Sequence, residues 1–116
     1  MDENIQLVDV SRMGDEWDTE LIKEEIQKRF DKIRKIQEGS KVKVYFKKHH
    51  ENPIGSAKYE VRVAIKTPKK TFMSEKTEFS VIDAVSNAMD SAEKETRKYF
   101  EKRNDERISD ERLSVD

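Results

Sequence analysis

A chain of 116 residues is one domain's worth, with one modest core that buries roughly 65% of the unfolded surface. Its hydrophobic content of 34% is low and its charged content of 42% is high, and no apolar run approaches the roughly 20 residues of a membrane span. The absence of cysteine excludes a disulfide framework, thiolate zinc ligation and a thiol nucleophile together and fits a reducing compartment, while "MDENIQLVDV" is acidic where a signal peptide is basic, so a cytoplasmic location is expected.

The formal net charge of −1 hides an uneven layout. Residues 1–18 hold one base and six acids, residues 40–70 hold nine bases and two acids, and residues 104–116 hold two bases and five acids. A basic middle therefore lies between acidic ends.

Along the chain, Ile5 to Val10 reads as a first strand and "SRMGDEWD" as the connection after it. In "TELIKEEIQKRFDKIRKIQEG" the residues Ile22, Ile26, Phe30 and Ile33 recur at the spacing of one helix face, which predicts a helix over 19–38. Asp18 or Thr19 serves as its cap; with Asp18 in that role, Trp17 and Ile22 form a hydrophobic staple, and Gly39 takes the left-handed C-terminal position. Lys28, Lys32 and Lys35 fall opposite the apolar stripe and face solvent.

The period then changes to two. Val42, Val44 and Phe46 point one way from a strand over 41–47, and Lys41, Lys43, Tyr45 and Lys47 the other; residues 59–66 repeat the pattern with Arg62 and Lys66 on the polar side. "HHENPIGSA" reads as the loop between these antiparallel neighbours, and "TPKK" turns the chain into a shorter strand near 71–77. Ser80 and Asp83 have capping-box spacing ahead of a second helix over 81–102, whose stripe is Ile82, Val85, Met89, Ala92, Thr96 and Tyr99 or Phe100. Lys94 and Lys98 stand opposite that stripe. Residues 1–103 form the single domain, and residues 104–116, with little to bury, form a charged, disordered C-terminal tail. The resulting class is α+β, in the order β-α-β-β-β-α: an antiparallel-rich sheet with two helices on one face and the other face open to water.

Lys41, Lys43, Lys47, Arg62 and Lys66 share that open face with Tyr45, a surface able to neutralise phosphates and stack a base. Exposed lysines on strands also discourage edge pairing, but the excess of seven positive charges over residues 40–70 favours a polyanion partner. His49 and His50 read as loop histidines in a basic patch, because adjacent side chains diverge and no third metal ligand has a recognisable spacing. The sequence holds no phosphate-binding glycine loop and marks no catalytic triad or carboxylate pair, so no enzyme, metal, cofactor or small-molecule substrate is expected.

The first helix resembles that of the ribosome hibernation promoting factors, also described as ribosome-associated inhibitors or sigma-factor modulation proteins. Thr19, Ile22, Lys23, Ile26, Arg29, Phe30, Lys32, Ile33 and Lys35 match the family pattern T-x-x-I-[RK]-x-x-[VI]-x-x-R-[LF]-x-K-[LI]-x-K, and "IKTPKKTF" and "AEKETRK" continue the likeness, with Glu93, Lys94 and Lys98 at family positions. Ser91 stands in place of a usual Lys, Ser80-Val81-Ile82 replaces the usual start of the second helix, and "SRMGDEWD" lengthens the first connection. The resemblance implies a fold like that of double-stranded-RNA-binding domains. It also implies binding to rRNA of the small ribosomal subunit, across the tRNA and mRNA channel, with translation blocked during stress. Lys23, Arg29, Lys32, Lys35, Lys94 and Lys98 are its contact candidates, and Arg29 is favoured for its bidentate fork. The chain resembles the short members without a dimerisation domain, which implies a monomer. A protein-interaction module and a general duplex-RNA binder remain alternatives on the same fold.

Overall fold

A computed structural model describes residues 3–13, 18–50 and 57–114. Strand β1 (Ile5–Val8) leads through a short 3-10 turn (Val10–Met13) to helix α1 (Thr19–Ile36); strands β2 (Lys41–His50), β3 (Ala57–Lys66) and β4 (Thr71–Glu78) follow, then helix α2 (Val81–Ser114). The strands lie in sequence order in one mixed sheet, with β1 parallel to β2 and the other pairs antiparallel. The β-α-β-β-β-α order is the one the hydrophobic periods predict.

Alternation sets the register. Val42 faces Ile65, Val44 faces Val63 and Phe46 faces Val61, so every apolar side chain of β2 meets an apolar partner on the same side of the sheet. Ile22, Ile26, Phe30 and Ile33 of α1 and Val81, Ala84, Val85, Ala88, Met89 and Ala92 of α2 cover that side and are all buried. Each large aliphatic side chain so removed from water is worth about 1.5–3 kcal/mol. The stripe of α2 is wider than the sequence suggests: Val81, Ala84 and Ala88 are core residues, and Ile82 is only partly buried. Small alanines carry a weak hydrophobic signal, yet they let a helix approach its neighbours closely.

Asp18 is the cap of α1, its carboxylate accepting from the amides of Glu20 at 3.0 Å and Leu21 at 3.2 Å. Trp17, the other half of the expected staple, lies outside the described residues, as does the turn carrying Asn52-Pro53 and Gly55. Gly39 has φ +85°, the left-handed conformation expected after the helix. At the "TPKK" turn the Thr67 hydroxyl accepts from the amides of Lys69 and Lys70 and donates to the Lys70 carbonyl at 2.7 Å, which reverses the chain into β4.

Several boundaries differ from the sequence reading. β1 stops at Val8 because Asp9 turns to φ +63°, and the chain then coils so that Met13, assigned to a connection, is buried in the core. β2 and β3 extend two or three residues further into the hairpin, pairing His49 with Lys58 and His50 with Ala57, so His49 is a strand residue and not a loop one. The helix expected to end near 102 continues as backbone helix to Ser114. Residues 103–114 contain neither Gly nor Pro and are rich in Arg and Glu, so propensity sustains the helix where nothing apolar demands it.

Gly39 supplies the sharpest test of this frame. Among the described residues an added Cβ meets only Pro68, at 3.5 Å, so the cost of Gly39→Ala is conformational: a loss of about 1–2 kcal/mol is expected in urea unfolding, from the left-handed backbone alone.

Candidate nucleic-acid interface

On the outer face of the helix layer, the hydrogen bonds fix how α1 and α2 run. The Ser86 hydroxyl donates to Glu25 at 3.0 Å and the Arg29 guanidinium donates to Asp90 at 3.3 Å, each pair 61 residues apart, so the two helices are parallel here. The same register brings Lys32 level with Glu93, and Lys35 level with Thr96, so that Lys94 and Lys98 stand beside them on the neighbouring helix. Lys32, Lys35 and Lys98 are exposed and have no ion-pair partner among the described residues. Lys94 is exposed as well, but its ammonium lies 3.0 Å from Asp90; Lys23 lies 3.4 Å from Glu20.

Arg29 differs from the rest. Its side chain is 24% exposed, with Nε 3.0 Å from Glu25 and Nη1 3.3 Å from Asp90, so the fork that sequence offered to a phosphate is turned onto two carboxylates and clamps α1 to α2. Burial opposes the ionisation of Glu25, but hydrogen bonds from Arg29 and Ser86 and the charge of Arg29 outweigh it and hold its pKa below the ordinary 4.5. Asp90 is likewise held below 3.8, first by its hydrogen bond from Lys94, against a smaller burial effect, with the charges of Lys94 and Arg29 adding to it. Neither carboxylate was singled out from the sequence, because their meaning lies in a pairing 61 residues away.

On the opposite side of the molecule the open sheet face carries the second group. Tyr45 is directly opposite Arg62, Lys41 opposite Lys66, and Lys43 opposite Ala64. Lys41, Lys47, Arg62 and Lys66 are exposed, and the Lys43 ammonium sits 5.2 Å from the centroid of the Tyr45 ring. Two acids interrupt the patch. The Arg62 guanidinium lies 3.0 Å from Glu60 and 3.4 Å from Glu75, and Glu60 also accepts a hydrogen bond from His49 at 3.2 Å. Burial resists ionisation of Glu60, yet the His49 hydrogen bond and the charge of Arg62 lower its pKa overall. Glu75 arrives from β4, outside the basic stretch of sequence, so counting over residues 40–70 could not place it there.

The structure thus gathers the candidates into two groups that face away from each other. It adds Lys76 of β4, which shares a shallow depression of about 280 Å³ with Ser91, Lys94 and the acids Glu78 and Asp90, at the place where this chain has Ser91 instead of a usual Lys. Glu93 is buried and held by Arg97 at 3.2 Å. Among the described residues no group of three His, Asp or Glu side chains is placed to hold a metal, and no helix is long and apolar enough to cross a membrane.

The interhelical carboxylates make a prediction about acid. Because the folded pKa values of Glu25 and Asp90 lie below the ordinary ones, their contribution is present above about pH 4.5 and is lost as pH falls through the folded values. A Glu25→Gln/Asp90→Asn variant is therefore expected to lose about 1–2 kcal/mol at pH 7, discounted for partial exposure, and to show a shallower further loss between pH 5 and 3 than wild type in urea titrations.

Comparison with known proteins gives this geometry a family. No curated protein matches the sequence. Among solved structures, the N-terminal domain of Thermus thermophilus Protein Y superposes with a TM-score of 0.58 at 14% identity, over 82% of this chain and 93% of that one. A ribosomal subunit interface protein from Coxiella burnetii superposes with a TM-score of 0.53 at 23% identity, over 82% and 94%. At these identities the likeness establishes the shared fold. The family model described as "Hibernation factor Hib, C-terminal domain" matches residues 4–115. With all but the first three residues and the last one spanned, the chain belongs to the hibernation factor Hib C-terminal domain family.

Proposed function

We propose that this chain is a non-catalytic ribosome-binding factor. Its lysines pair with rRNA phosphates of the small subunit, the folded body occupies the channel for tRNA and mRNA, and translation is blocked sterically while ribosomes are stored under stress. The observation that carries this reading is the row of exposed lysines without ion pairs among the described residues, Lys32 and Lys35 on α1 and Lys98 on α2, brought level by the parallel helices in a chain of the hibernation factor family. Cations with no carboxylate neighbour are the ones that gain most from a phosphate. Lys94 and Lys23 contribute after giving up a weak surface pair, and Arg29 acts mainly by holding the two helices in register. The sheet bases Lys41, Lys43, Lys47, Arg62 and Lys66 add a second basic surface. The likeness to a ribosomal subunit interface protein supports the choice of partner.

Co-sedimentation with purified small subunits over a salt series tests the proposal. Wild type is expected to pellet with subunits at low salt and to be released steeply as salt rises. A Lys32→Ala/Lys35→Ala/Lys98→Ala variant should bind more weakly, its log–log salt slope shallower by about 2–3, at 0.7–0.9 per lost phosphate contact. No pelleting of wild type at low salt would sink the reading.

A further inference from the structure

Across the open face, Lys41 and Lys66 stand directly opposite one another on antiparallel strands, an arrangement that like charges make unfavourable. Neither has an ion-pair partner among the described residues. Together with Lys43, Glu3, Gln6, Ala64 and Thr71 they line a depression of about 430 Å³, in which the three lysines outnumber the one acid. An anion seated there would neutralise the repulsion that the register creates.

The adjoining surface is of another kind. Ala64 is too small to fill its place, and Met73, opposite it on β4, is 64% exposed; Tyr45 lies on the next strand, one same-face step along from Lys43. Tyr45, Met73 and Arg62 belong to a second, larger hollow of about 710 Å³, whose other walls include Lys47 and Glu60. Glu60 and Glu75 are already occupied by Arg62 and His49, so they do not oppose the lysine end. Positive charge and an aromatic and thioether platform therefore adjoin on one face.

We infer that the open sheet face is a binding site for single-stranded RNA, with backbone phosphate at Lys41, Lys43 and Lys66 and a base laid against Tyr45 beside Met73. This rests on the reading of the chain as an RNA binder and specifies what the sheet takes. A duplex keeps its bases stacked inside and offers this face no ring, whereas an unpaired strand supplies both the charge and the ring. The charge on the face, once Arg62 is set against its carboxylates, is still positive, which selects a polyanion over a second copy of this chain.

The test is fluorescence anisotropy of a labelled ten-nucleotide oligouridine with the full chain, at 50 to 200 mM salt. A Lys41→Gln/Lys66→Gln variant is expected to melt no lower than wild type, since it relieves a repulsion, and to lower the salt slope by about 1.4, at about 0.7 per contact on a single strand. Tyr45→Leu should weaken binding about tenfold. The Lys32→Ala/Lys35→Ala/Lys98→Ala variant should leave oligouridine binding unchanged while it weakens pelleting with subunits, which separates this inference from the helix-face reading. It is overturned if wild type does not bind the oligomer at low salt, if the Gln variant binds as wild type does, or if an RNA duplex of equal length binds as tightly. A concentration-dependent dimer in sedimentation velocity that Met73→Asp dissolves would overturn it as well, by showing that the face is occupied by another copy.

Discussion

Val44, Val61, Val63 and Ile65 present a continuous apolar surface on one side of the sheet, and a single sheet cannot leave such a surface in water. Covering it takes two helices, each with its own apolar stripe: α1 brings Ile26, Phe30 and Ile33, and α2 brings Ala88, Met89 and Ala92. Once those stripes are turned inward, the remaining positions have no freedom. The helix lysines must point away from the sheet, and the alternate residues of the strands must point away from the helices. The two basic surfaces of this protein are thus by-products of one burial problem, and they face opposite directions because the core lies between them.

Charge pairing then decides which of those cations are available to a partner. Where the helices meet side by side, the carboxylates of Glu25 and Asp90 draw in Arg29, and Asp90 also holds Lys94. Where β3 meets β4, Glu60 and Glu75 take up Arg62. In both layers an arginine is held by two carboxylates, while Lys32, Lys35 and Lys98 on the helices and Lys41 and Lys66 on the sheet are exposed with no ion pair among the described residues. That division has a physical basis: a planar guanidinium satisfies two carboxylates at once, whereas an ammonium on a flexible stem loses more entropy for each contact it keeps.

This division marks the limit of what sequence alone discloses. The hydrophobic period is a local signal, and it placed Ile22, Ile26, Phe30 and Ile33 in the core and Lys41, Lys43, Tyr45 and Lys47 on one face, as the structure has them. Arg29 matched both the family pattern and the chemistry of phosphate binding, yet its surroundings are set by Asp90, and Arg62 is likewise governed by Glu75 from another strand. Non-local pairs of this kind leave no periodicity. Ala84 and Ala88 of α2 and the buried Met13 were missed for a related reason: each is buried because of what packs on it, and its own side chain carries little pattern. The end of α2 erred in the opposite way, since helix propensity continues where amphipathic pattern has stopped.

A net charge of −1 is no obstacle to binding a polyanion once distances are considered. At physiological salt, charges separated by more than about 8 Å are largely screened, so the whole-chain sum carries little weight at any single site. Residues 104–116 are acidic by three charges, but at 1.5 Å per residue the α2 backbone at Asp110 lies roughly 18 Å beyond Lys98. The Glu25 and Asp90 carboxylates, within about 3 Å of their partners, matter far more than that distant excess. The consequence is a protein whose electrostatics are set locally, by the charges within a few ångströms of each exposed lysine and not by the whole-chain sum. Such a charge layout favours a partner whose charges match the spacing of Lys32, Lys35 and Lys98 over one that is merely negative, because only groups brought within the screening length of those lysines feel them.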